Sequence, residues 1–152
     1  MAKNDSFKNT IKELISFGDE GRKVISIVTR ETAKEIELTA KQLAPVGLKS
    51  TGAPVDLGDL RQGINEVKVD DYHYKVIAVQ RYSAYMEFGT GGLVSVPNEL
   101  KEIAIQFKGA GVKQINLRPQ PFMYPAWIKG KLNYLDDLTK QLKKLTDKYN
   151  KK

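Results

Sequence analysis

One histidine, no cysteine and 18 carboxylates are what a catalytic or metal site would have to draw on in this 152-residue chain. The lack of thiols excludes disulfides, thiolate nucleophiles and the commonest structural zinc sites together. His73 stands among tyrosines and valines in a predicted strand. A general base there needs an orienting partner and a nucleophile within reach, and the sequence nominates neither. Asp56, Gly58 and Asp59 lie close enough to suggest a metal loop, yet the alternating oxygen ligands and distant glutamate of a calcium loop are missing. Asp59 is better placed to cap a helical turn beginning at Leu60. Gly89-Thr90-Gly91-Gly92 lacks both the lysine of a P-loop and the third glycine of a dinucleotide fingerprint. It reads as a sharp turn that needs positive φ. No catalytic, cofactor or metal site is assigned, and the residues argue against an enzyme.

Aromatic residues group differently. Tyr82, Tyr85, Phe88, Phe122, Tyr124 and Trp127 fall in two short segments, with Arg81 and Arg118 beside them. Three uses fit this grouping. Aromatic and arginine enrichment near irregular backbone is the composition of an interface centre. The same side chains would fill a core, or stack on the bases of single-stranded nucleic acid.

The formal charge of +7 is unevenly placed. Residues 1–70 hold 11 basic and 11 acidic side chains, whereas residues 71–152 hold 14 and 7. Beyond Trp127 come eight lysines against three aspartates. Such a tail is either a solvated helix face or a track for nucleic acid, with Lys140, Lys143, Lys144 and Lys148 as the residues that would face it. No apolar run approaches the ~20 residues that cross a bilayer, and the first residues lack the apolar stretch of a signal peptide.

The elements that position these groups follow from periodicity. Phe7, Ile11, Leu14 and Ile15 mark a short amphipathic helix that Gly18 is expected to end. A longer helix is predicted from Asp19 to Leu43, closed by Pro45. Residues 45–58 form a connecting loop. Valines, isoleucines and tyrosines on both sides of Asp70-Asp71 predict a β-hairpin. Tyr82–Phe88 reads as a further strand or buried turn, Pro97–Phe107 as a short helix, and Lys113–Leu117 as a strand. A last helix carries Ile128, Leu135, Leu138, Leu142, Leu145 and Tyr149 as a seven-residue stripe, expected to pack on the long helix or the sheet, the alternative being docking on a neighbouring subunit. The expectation is one α+β domain over 1–152: amino-terminal helices, a small mainly antiparallel sheet and a carboxy-terminal helix.

Four segments, in order, resemble a family of small structural proteins from long-tailed double-stranded-DNA phages. They are Leu43-Ala44-Pro45, Gly58-Asp59-Leu60-Arg61-Gln62-Gly63-Ile64, Tyr85-Met86-Glu87-Phe88-Gly89-Thr90 and Pro121-Phe122-Met123-Tyr124-Pro125-Ala126. The sequence departs from the family by a second Ala-Pro at Ala53-Pro54, by Leu57 where threonine is common, and by a long insertion over 91–117. The resemblance implies a head–tail joining or tail-completion subunit, repeated as a homo-oligomer around the neck of the virion and made in the host cytoplasm. Its implied partners are the portal-side connector and the tail terminator or tail tube, with DNA passing the channel and no membrane or cofactor. It also implies that Arg61, Tyr85, Glu87, Phe88, Gly89, Thr90, Phe122 and Tyr124 order loops and pack neighbours, and the aromatic and arginine grouping adds Tyr82, Arg118 and Trp127 as interface candidates. Glu87 would accept bonds from backbone N–H groups or from an arginine, Arg61 being the candidate, across the core or between subunits. The alternative reading is a basic, non-specific nucleic-acid-binding protein.

Overall fold

The computed structural model describes residues 2–47, 58–105 and 117–151, with side chains from residue 8 onward. Much of the expected 45–58 loop, Phe107, and the expected Lys113–Leu117 strand up to its last residue lie outside the described residues.

Two antiparallel helices dominate. Helix α1 runs unbroken from Ala2 to Leu43, 42 residues or roughly 63 Å. The stop expected at Gly18 is absent. A glycine inside a helix costs only about 1 kcal/mol relative to alanine, and the partner helix holds this stretch on both sides of it. That partner is α5, Met123–Asn150. Tyr149 Oη bonds to Ser16 Oγ at 2.9 Å and to Glu20 Oε1 at 3.0 Å, and its ring meets Phe17 edge-on. Further along, Leu145 lies against Gly21, and Gly130 sits directly over Ile36. The pairs step along the two helices in opposite directions at the same pace.

The α5 stripe only half follows the seven-residue reading. Leu145 is buried and Leu138, Leu142 and Tyr149 are half-buried, but Ile128 and Leu135 remain exposed. Near its start α5 instead buries Ala126 and Gly130. The buried residues drift around the helix because a straight α-helix does not repeat every seven residues. Gly130 lets the backbones approach: a Cβ there would lie 2.2 Å from Ile36 Cγ1.

Between the loop and the hairpin comes a single turn, α2, Asp59–Gln62. Gly58 precedes it in the left-handed region at φ 105°, so Asp59 is the first helical residue rather than the cap. Strands β1, Ile64–Asp70, and β2, His73–Ala78, form the expected antiparallel hairpin. Its turn is fixed by the Tyr72 N–H donating to Asp70 Oδ1 at 2.8 Å. Residues Ser83–Phe88 are a short helix, α3, where a strand or turn was expected. A 3-10 turn, Asn98–Leu100, leads into α4, Lys101–Ile105. The core gathers Ile36, Ala40 and Ala44 of the α1 end, Leu60, Ile64, Phe122 and Ala126, with Val76, Ala78, Tyr82, Met86 and Met123 packed around it. The fold is α+β, with one long amino-terminal helix in place of two.

Candidate functional site: a carboxylate clasp on the carboxy-terminal helix

A helix begins with four backbone N–H groups that have no partner inside it. Short polar residues usually answer this at the first position, but α5 starts Phe122-Met123-Tyr124-Pro125 and has no such side chain. The partner comes from another segment. Glu87, 7% exposed at the end of α3, accepts the N–H groups of Phe122 (2.8 Å) and Met123 (2.9 Å) on Oε2 and of Tyr124 (2.9 Å) on Oε1. The fourth position is Pro125, which has no N–H to satisfy. One carboxylate therefore answers the whole first turn, and the positive end of the helix favours its charge.

The chain on either side of Glu87 tightens the same junction. The Gln120 N–H donates to the Met86 carbonyl at 2.7 Å, and the Thr90 N–H to the Leu117 carbonyl at 3.0 Å. Thr90 Oγ1 accepts the Leu117 N–H, also at 3.0 Å. Gly89 lies between them at φ 76°, with the space for a Cβ already taken by the Leu117 carbonyl at 2.7 Å and Pro119 Cδ at 2.9 Å. Conformation and space both require glycine there. Two motifs that are far apart in sequence thus close on each other as one clasp.

The remaining candidates divide into inward and outward groups. Phe122 is fully buried and Tyr82 packs on the core, while Phe88 is only half-buried. Tyr124 Oη donates to Glu99 Oε2 at 2.6 Å, which ties the 3-10 turn to α5 and raises the phenol pKa. Arg61 does not meet Glu87 within the chain. Its guanidinium donates to the Ala44 carbonyl at 3.3 Å, a cation beside the carbonyl end of α1. Tyr85, Arg118 and Trp127 are exposed.

Of the four lysines expected to face nucleic acid, two are engaged inside the chain. Lys140 pairs with Asp136, and Lys148 reaches across to Glu20 at 2.7 Å; each partner raises the lysine pKa. Lys143 and Lys144 are exposed. His73 is an exposed residue at the start of β2. Among the described residues no three His, Asp or Glu side chains come together to hold a metal ion, and no helix is long and apolar enough to cross a membrane.

Sequence reasoning missed two features. One is that Glu87 caps α5; the available signal was that no Ser, Thr, Asp or Asn stands between Arg118 and the last helix to cap it locally. The other is a groove of about 780 Å³ between α1, β2, the 98–105 region and the start of α5, lined mainly by apolar side chains.

Residues 8–89 match the family model for HK97-gp10-like proteins, described as "Bacteriophage HK97-gp10, putative tail-component". No curated protein and no solved structure is matched. The matched span covers most of α1, α2, the hairpin and α3, and stops at Gly89 in the middle of the clasp. It takes in more than half of the chain, and the chain belongs to the HK97-gp10-like family of phage tail components.

Proposed function

We propose that this chain is a non-enzymatic structural subunit of the phage neck, repeated around the axis where the DNA-filled head meets the tail. Its partners in this reading are copies of itself, a portal-side connector, and the tail terminator or tail tube. Membership in a tail-component family supplies the setting among other phage structural proteins. The observation that carries the reading further is the placement of apolar side chains. Ile128, Leu132 and Leu135, at i, i+4 and i+7 on α5, are 37%, 65% and 55% exposed. Ile11, Leu14 and Ile15 form a similar exposed stripe on α1, on the side of Ser16 away from the body of the α1–α5 contact. Contiguous apolar faces of this kind mark protein–protein contacts. The polar residues that looked most functional are meanwhile spent on backbone groups inside the fold.

The test is electron microscopy of lysates from a phage lacking the gene. DNA-filled heads and separate tails are expected. Normal infectious particles would remove the neck assignment, and heads that fail to package would favour a nucleic-acid-binding role.

A further inference from the structure

The two edges of the hairpin are treated differently. The Val79 N–H donates to the Gly63 carbonyl at 3.0 Å, and the register runs from Ile64↔Ala78 to Lys68↔Tyr74. That alternation points the backbone groups of Asn65, Val67, Lys75 and Ile77 into the ladder, and those of Ile64, Glu66, Tyr74, Val76 and Ala78 outward. On the β1 side one outward group is taken by α1: the Glu37 carboxylate accepts the Glu66 N–H at 3.1 Å. On the β2 side the outward groups of Tyr74, Val76 and Ala78 have no hydrogen-bond partner among the described residues.

This open edge borders the 780 Å³ groove, whose walls include Ala33, Ile36, Phe88, Ile103, Met123 and Trp127. Its charged lining is one-sided among the described residues. Lys75 and Lys131 are exposed there beside His73, and the only carboxylate, Glu87, is already held by three N–H groups.

We propose that edge and groove together receive an extended segment of another protein, alternating apolar and acidic residues, which adds to β2 as a third strand. Backbone pairing sets the register, alternate apolar side chains enter the groove, and the carboxylates meet Lys75 and Lys131. A second copy is a poor occupant: the Glu66 N–H in the middle of its β1 edge is already taken by Glu37, and pairing β2 with β2 brings two basic rims together.

The probe is a short synthetic peptide alternating valine or isoleucine with glutamate, set against a twin with lysine for each glutamate. Fluorescence anisotropy reads affinity, and amide hydrogen exchange reads the edge. The acidic peptide is expected to bind about ten-fold more tightly than its twin, the effect of exchanging two exposed ion pairs for like-charge contacts. Lys75→Glu with Lys131→Glu reverses the order of the two peptides. The amides of Tyr74, Val76 and Ala78 exchange freely in the dilute protein and become protected when the acidic peptide binds. Tyr74→Pro, whose lost N–H lies outside the ladder, abolishes binding. Equal binding of the twins overturns the proposal. So does protection of the three amides in the dilute free chain, which would show that the edge is already covered within the chain. Protection that grows with protein concentration alone would assign it to a second copy and overturn it equally. Exchange in the unmodified chain decides these last outcomes whether or not the variants fold.

Discussion

The first turn of α5 and the outer face of the same helix lie within a few residues of each other and are built on opposite plans. In the first turn every backbone donor is answered, Phe122 and Ala126 are fully buried, and one carboxylate from α3 closes the end. On the outer face Ile128, Leu132 and Leu135 are left uncovered. Sequence motifs pointed to the first region, while the second showed only as part of the seven-residue stripe, with Ile128 and Leu135 in it and Leu132 left out. The contrast separates residues that hold the fold from residues the fold offers to a neighbour.

The largest effects belong to the clasp. Glu87→Ala is expected to cost about 3–5 kcal/mol, because three buried or half-buried N–H groups lose their acceptor together. Phe122→Ala falls in the same range of about 3–5 kcal/mol, as the truncation of a fully buried aromatic leaves a cavity. Thermal or denaturant unfolding of the two variants measures both. Losses under about 1 kcal/mol in each would show that the first turn of α5 is not what fixes the helix to the body.

The crossing of α1 and α5 tests the same contrast at a smaller scale. Gly130→Ala drives a Cβ into Ile36, and overpacking of that kind costs about 1–3 kcal/mol. Ile36→Ala alone is also destabilising, but the double variant should recover part of the loss, since each change makes room for the other. Strict additivity in a double-mutant cycle would mean that the helices do not approach at this point.

Those two regions also show what sequence could deliver. The hairpin, the long helices and the α+β class were legible because apolar periodicity and turn residues act locally. Gly18 misled because its local cost is small beside the packing of Phe17, Gly21 and Tyr149. The heptad stripe misled at Ile128 and Leu135 because the buried row at that end runs through Ala126 and Gly130, small residues that hydrophobic counting overlooks. Glu87 was recognised as an acceptor of backbone N–H groups, but its target lay 35 residues downstream of it, at Phe122. No local pattern carries that distance. For Arg61, the Ala44 carbonyl takes the place of the expected carboxylate within the chain.

A pH effect comes next in size. Glu37 is held below its ordinary value of 4.5, first by the hydrogen bond from Lys41 and then by the Glu66 N–H, with partial burial opposing. A carboxyl whose pKa is lower folded than unfolded adds stability that is fully present above the unfolded value and lost as pH falls through the folded one. Stability should therefore decline below about pH 4.5, and Glu37→Gln should flatten part of that decline. Denaturant midpoints at neutral pH and at the acid end decide it. An unchanged acid slope in the variant would remove Glu37 from the account.

The smallest effect on stability should accompany the largest effect on assembly. Leu132→Glu with Leu135→Glu places charge on a face that is already in water, so the change in unfolding free energy should stay within about 0.5 kcal/mol per site. The same pair should abolish incorporation into particles if the stripe is a contact, because an unpaired charge in an apolar interface is costly. Light scattering on the dilute parent protein should show a monomer or weak association, since one narrow helix stripe falls short of the ~1,000 Å² of a stable contact. Complementation of a phage lacking the gene then separates the cases. A folded double variant that restores infectivity would show that the outer face of α5 is merely exposed, and would leave the α1 stripe as the surface through which copies or neighbours meet.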